Sequence, residues 1–191
     1  MTVRTLALWH RLVALDQLLL LTVRSWESVA VTHVMRTFTR LGDPASWVFF
    51  GLALGLSGGE GPRHCGLLGA STSLALLASQ ALKRLCRRPR PTSGIGGFAA
   101  LTENPDAFSF PSGHTAVAFA AALALAGEGA GLGWLLLAVA VGIALSRVYL
   151  GAHYPLDVAA GALLGLAVGV AVHGLLFGDL GPPPTTIAQS P

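Results

Sequence analysis

Three short segments of the chain concentrate the residue types that chemistry uses. In Lys83–Pro91 (KRLCRRPRP), five basic residues stand within eight positions. Such a run suits a juxtamembrane collar that meets anionic headgroups. It equally suits a clamp in which Lys83 and Arg90 hold phosphoryl oxygens, Arg with a bidentate fork and Lys as a point charge. Phe110–His114 (FPSGH) opens a helix, with Pro111 and Ser112 as start signals and Ser112 as a good N-cap. Gly113 removes a side chain where backbone amides would approach a ligand, and the free N–H groups of a helix start favour anions. His114 adds an imidazole, the group best suited to proton transfer near neutral pH. Ser146–Asp157 (SRVYLGAHYPLD) joins two apolar runs. Arg147 ends one helix, where a cation suits the dipole, and Tyr154-Pro155 starts the next with Asp157 in its first turn. His153 and Asp157 are four apart, close enough for the carboxylate to hold one ring nitrogen and leave the other unprotonated. Paired ionisable groups at membrane depth are costly and mark function.

The elements that must position these residues are written in the composition. Of 191 residues, 53% are hydrophobic and only 11% charged, with a mean hydropathy of +0.66. A soluble domain carries about a quarter charged residues, so this chain is an integral membrane protein. Its net charge of +3 is small and locally clustered, which argues against nucleic-acid binding. Cys65 and Cys86 fall near opposite ends of one expected helix, roughly 30 Å apart at the α-helical rise, too far for a disulfide. Arg11 and Asp16 interrupt the early apolar run, so no signal-peptide pattern is expected and targeting rests on the membrane helices.

Residues 4–40 are apolar but repeatedly broken by charge, and are expected to form one or two amphipathic helices at the interface or packed obliquely on a bundle. Leu41–Pro44 (LGDP) is a turn, with Asp43 as N-cap and Pro44 opening a helix. Ala45–Leu56 is short for a ~30 Å hydrocarbon core. Cys65–Leu85, Ser112–Ala126, Leu132–Leu150 and Pro155–Phe177 read as spans, with a polar loop over 87–111 and a turn at GEGAG. The tail, GPPPTTIAQSP, reads as disordered. A single membrane-embedded domain over 1–180, with its motif-bearing core at about 64–177 and a tail at 181–191, follows. Alternation of the spans carries KRLCRRPRP, FPSGH and SRVYLGAHYPLD to one face.

On that face lie three cations, a helix-start anion nest and two histidines, one with a carboxylate partner. A phosphate monoester or diphosphate is the ligand that fits. Two histidines and one aspartate among arginines suit a metal poorly, and no Gly-rich nucleotide loop is present. Neither a metal nor another cofactor is expected.

The chain resembles the type 2 phosphatidic acid phosphatase family of membrane lipid phosphatases. Its three signatures, KxxxxxxRP, PSGH and SRxxxxxHxxxD, stand as Lys83…Arg90-Pro91, Pro111-Ser112-Gly113-His114 and Ser146-Arg147…His153…Asp157, complete and in order over roughly residues 64–177. The resemblance implies an all-α bundle of about six transmembrane helices with the amphipathic segment at its N-terminus. It implies that His153 attacks phosphorus to give a phosphohistidine, that Asp157 orients its ring, and that His114 protonates the leaving oxygen and then activates water. Lys83, Arg90, Ser112, Gly113 and Arg147 would bind the phosphoryl oxygens, without a metal. The substrate would be a lipid phosphate or diphosphate, reached from the bilayer. A phosphotransferase with the same intermediate and a non-enzymatic anionic-lipid binder or transporter are the alternatives. Oligomeric state is not legible. A bacterial inner membrane, with the site facing away from the cytoplasm, is the expected location.

Overall fold

The computed structural model describes residues 3–103, 106–126 and 131–177. Among them the architecture is a helical bundle without strands. It comprises α1 (Val3–Arg24), α2 (Val29–Leu41), α3 (Pro44–Leu56), α4 (Gly61–Cys86), the single turn α5 (Pro91–Gly94), α6 (Gly113–Ala124), α7 (Leu132–Tyr149) and α8 (Pro155–Phe177). The stretch broken by charge is thus two helices. Ser28 stops α1 from running into α2, because its side chain caps the Val31 N–H. Residues 178–191, which include the expected tail, and residues 127–130 of the GEGAG turn lie outside the described residues.

α4, α7 and α8 are long and apolar enough to cross a membrane, while α3 and α6 are apolar but shorter. Large apolar side chains such as Leu77, Leu163, Leu175 and Trp134 face outward, the arrangement of a protein solvated by lipid. The expected Ser112–Ala126 span is instead a 12-residue helix, α6. At ~1.5 Å per residue it reaches only about 18 Å. Its position explains the brevity: α6 is the centre of the bundle, packed by α4, α7 and α8. Ala116, Ala118, Ala120, Ala121 and Ala124 are sealed from any solvent.

The α6–α8 seam is built on small residues. Gly161, Gly165 and Gly169 repeat every fourth residue along α8 and meet α6 backbone. A methyl group added at Gly165 would lie 2.3 Å from the Ala116 carbonyl oxygen, and one at Gly161 2.5 Å from that of Ser112. In lipid, where apolar burial does not drive helices together, such close approach supplies packing that larger side chains would prevent. α1 is held more thinly, through buried Leu20, which joins Val148 and Tyr154 in a small cluster, and through buried Asp16.

Candidate active site

The end of α7 and the start of α8 are shaped by two local devices. Gly151 takes φ +73°, a left-handed conformation that only glycine adopts readily. The chain reverses there, and the amides of Ala152 and His153 both donate to the Arg147 carbonyl, at 3.1 and 3.2 Å. His153 is thereby fastened to the helix that carries Arg147. At the start of α8, Asp157 Oδ2 accepts the Tyr154 N–H at 2.9 Å, a reach-back that satisfies an orphan amide of the first turn. The Ser112 N–H donates to the Asp157 carbonyl at 2.9 Å, joining the start of α6 to the start of α8.

These joints gather the basic residues around one imidazole. Arg90 Nε donates to the Asp106 carbonyl at 2.8 Å, and its Nη1 donates to the Ala152 carbonyl at 2.7 Å. Nη1 also faces His153 Nε2 at 3.4 Å. A guanidinium has no lone pair to offer, so the nitrogen it faces presents one: Nε2 is the unprotonated atom. His153 is 1% exposed. Burial first, then the charges of Arg147, Arg90 and Lys83, hold its pKa well below the ordinary histidine value. Lys83 Nζ and Arg90 Nη2 both pair with the Asp106 carboxylate. Burial alone would raise the Asp106 pKa, but the hydrogen bonds and charges of Lys83 and Arg90 prevail and lower it. Arg147 Nη1 donates to Thr39 Oγ1 of α2.

The carboxylate of Asp157 serves several partners. Its Oδ2 lies 3.8 Å from His153 Nδ1, which makes no hydrogen bond among the described residues. The ring nitrogen is faced but not gripped, because Oδ2 is already committed to the Tyr154 amide. Asp157 Oδ1 accepts from Arg88 Nη1 at 2.7 Å, and Arg88 Nη2 reaches Asp16 Oδ2 at 2.5 Å. Burial opposes the Arg88 charge, but Asp157 and Asp16 outweigh it and raise the Arg88 pKa.

Ser112 stands at the N-cap position of α6 without capping a backbone amide; its hydroxyl accepts from Thr115 Oγ1 at 3.0 Å. A Cβ at Gly113 would come within 3.3 Å of Ser79 Oγ on α4. His114 Nε2 lies 3.0 Å from Asp43 Oδ1, so the residue expected only to cap α3 is the partner of a histidine 71 positions away. Asp43 makes no side-chain cap.

A cavity of about 760 Å³ runs along α3 and α4 to these groups. Lys83, Asp106, His114 and Arg147 line its polar end, and Trp47, Val48, Leu52, Leu68 and Leu76 its apolar wall. Arg90 and His153 are not among its lining residues; they meet one another beyond Asp106. Among the described residues no group of three or more His, Cys, Asp or Glu gathers as a metal cluster.

All eight residues singled out from the sequence thus lie at one end of the bundle. Sequence reasoning missed Asp16, Asp43, Arg88 and Asp106. The profile of the PAP2 superfamily matches residues 65–179, more than half of the chain. The chain belongs to the PAP2 superfamily. Within it, the chain is 37% identical to decaprenylphosphoryl-5-phosphoribose phosphatase of Mycobacterium tuberculosis (strain H37Rv), over 56% of this chain and 58% of that protein. The match therefore spans little more than half of that relative's length. Lipid A 1-phosphatase of Rhizobium johnstonii is 31% identical, over 77% of this chain and 71% of its own. Among solved structures, LpxE of Aquifex aeolicus superposes with a TM-score of 0.72 at 28% identity, covering 81% of this chain and 92% of that one. A transmembrane PAP2-type phosphatidylglycerolphosphate phosphatase of Bacillus subtilis gives 0.71 at 24% identity, covering 86% of each chain. The last comparison speaks to the fold alone.

Proposed function

We propose that this PAP2 protein is a lipid phosphatase that hydrolyses a phosphate monoester or a terminal diphosphate bond of a membrane lipid through a phosphohistidine at His153. The observation that carries the reading is the state of that ring. A buried imidazole with its Nε2 lone pair beside Arg90 and a field of three cations is a neutral nucleophile next to an anion site. The names of two relatives, decaprenylphosphoryl-5-phosphoribose phosphatase and lipid A 1-phosphatase, support the substrate class.

In this reading the phosphoryl oxygens take over Lys83, Arg90 and Arg147, with Ser112 and the Gly113 amide at the start of α6. Nε2 attacks phosphorus as the bond to the lipid oxygen breaks, and His114 supplies the proton that the leaving oxygen needs. With Nε2 of His114 turned to Asp43, Nδ1 is the atom that exchanges protons. Water then attacks the phosphohistidine, His114 takes its proton, and inorganic phosphate leaves. The cations are worth most where charge builds on the transferring group, in a buried setting. The apolar wall of the cavity would receive the lipid chain. A bacterial inner membrane, with the site on the extracytoplasmic side, completes the proposal.

Phosphate release from a panel of lipids in mixed micelles (phosphatidic acid, phosphatidylglycerol phosphate and undecaprenyl diphosphate) tests it. Wild type is expected to release phosphate from at least one, and His153→Ala to lose turnover by at least about 10³-fold, as removal of a nucleophile does. Turnover that persists in His153→Ala would sink the reading. Labelled product appearing only when an acceptor lipid is added would make the protein a phosphotransferase.

A further inference from the structure

Arg88 is one of the three arginines that follow α4, and neither the signatures nor the mechanism uses it. It is also the half-buried hub that joins two buried carboxylates. Its two arms are divided, Nη1 to Asp157 at 2.7 Å and Nη2 to Asp16 at 2.5 Å, and its guanidinium lies over the Tyr154 ring at 4.1 Å. Asp157 and Asp16 are both sealed, at 0% and 1% exposed. Asp16 comes from α1, outside the matched family region. Two buried carboxylates on one guanidinium leave one net negative charge beside His153, an arrangement that a simple ion pair would not produce. A buried carboxylate of this kind is costly unless paired, and here Asp16 of α1 meets Arg88 through Oδ2 and the Leu156 N–H of the first turn of α8 through Oδ1.

We propose that Asp16 is a positioning residue for catalysis: by holding one arm of Arg88, it keeps Asp157 from being neutralised and keeps its Oδ2 edge turned to His153. The proposal rests on the phosphohistidine reading. When Nε2 bonds to phosphorus and the lipid oxygen leaves, the imidazole, whose Nδ1 keeps its proton, becomes a cation facing Asp157 Oδ2 at 3.8 Å. That cation needs an anion beside it. Were Arg88 free of Asp16, its fork would close on Asp157 in the bidentate mode that carboxylates favour. The charge facing His153 would then be cancelled at the step that calls for it.

Asp16 also has a structural task, since its Oδ1 accepts the Leu156 N–H at 2.9 Å in the first turn of α8. Asp16→Asn separates the two tasks: the amide oxygen still serves the Leu156 N–H, but the amide NH2 offers Arg88 no acceptor. In purified full-length protein, Asp16→Asn is expected to lower kcat about tenfold with KM within about threefold, the pattern of an interaction realised in the transition state. It is also expected to weaken orthovanadate, which bonds to the nucleophile as a pentacoordinate mimic, while leaving affinity for sulfate unchanged. In an Arg88→Gln background, where no guanidinium needs restraining, Asp16→Asn should change kcat and vanadate affinity by less than about twofold. The proposal is overturned by wild-type kcat and vanadate affinity in Asp16→Asn, by an equal loss in both backgrounds, or by losses that follow a fall in Tm. Should wild type hydrolyse none of the lipids, the phosphatase reading fails, and vanadate titration alone still decides the role of Asp16.

Discussion

His153 is surrounded by cations before any substrate arrives, and that sets the sign of its pH response. Its pKa is depressed from 6.5 by burial and by Arg147, Arg90 and Lys83, so the neutral, attacking form is present at and below pH 6.5 and is lost only when pH falls through the lower value. The acid limb of kcat/KM that reports His153 is therefore expected below pH 6.5, measured by phosphate release across pH 4–8. A limb centred at or above 6.5 would assign it to another group. Asp106 makes a second prediction at this scale. Its carboxylate occupies Lys83 and Arg90 together, two cations assigned to the phosphoryl group, and its own pKa is lowered by them. A substrate phosphate must displace it. Asp106→Asn should therefore lower KM, and lower the inhibition constant of free phosphate, by about three- to tenfold, the scale of one ordinary net hydrogen bond. Unchanged KM and phosphate inhibition would mean that the loop moves aside without competing. The cations around His153 were legible in the chain, but the acids that hold them were not. Asp16, Asp43 and Asp106 are single acids in apolar or loop sequence, and their partners lie 72, 71 and 16 to 23 residues away. Long-range ion pairs are fixed by tertiary packing, which no local spacing reports.

Helices and their junctions were more legible than their lengths. Pro155–Phe177 matches α8 to the residue, and Leu132–Leu150 differs from α7 by one at its end, because Tyr154-Pro155 and Gly151 are strong punctuation. α6 was read as a span because its residues are uniformly apolar, yet hydropathy alone does not tell a lipid-facing helix from one buried in protein. The glycine spacing of α8 was the unread signal, since Gly161, Gly165 and Gly169 place three small residues on one stripe. Gly165→Leu should abolish assembly, because even a Cβ would lie 2.3 Å from the Ala116 carbonyl oxygen and 2.9 Å from Phe119 Cβ. Gly66→Ala on α4, where an added Cβ meets nothing within 4 Å, should leave yield and activity unchanged. Detergent size-exclusion profiles and Tm compare the pair. A monodisperse, active Gly165→Leu protein would contradict the close seam.

For the whole molecule, alternation of spans predicted that the three signatures share a face, and Arg90 against His153, with Ser112 against Asp157, joins them there. Composition sufficed for the membrane, whereas orientation was not legible. The site accounts for Lys83, Arg90 and Arg147, and the basic residues left over, Arg36, Arg40, Arg84, Arg87 and Arg88, vote for a cytoplasmic face against the outward face that the resemblance implies. Cys86 supplies a direct assay. It is exposed at the end of α4, on the same face as Lys83. In a Cys65→Ser background, a membrane-impermeant maleimide should label Cys86 in intact cells if the site faces outward. Labelling only after permeabilisation would put it in the cytoplasm.

The glycine seam has one more consequence. α6 and α8 are locked at backbone distance and carry His114, Ser112 and Asp157 between them, whereas α3 leans mainly on α4 and forms the apolar side of the cavity. The bundle thus divides into an anvil that keeps the reacting atoms in register and a softer jaw through which a lipid can enter. Hydrogen exchange in nanodiscs should find the amides of α6 and α8 the slowest in the protein and those of α3 several-fold faster, so that admission of substrate never disturbs the atoms that cut it.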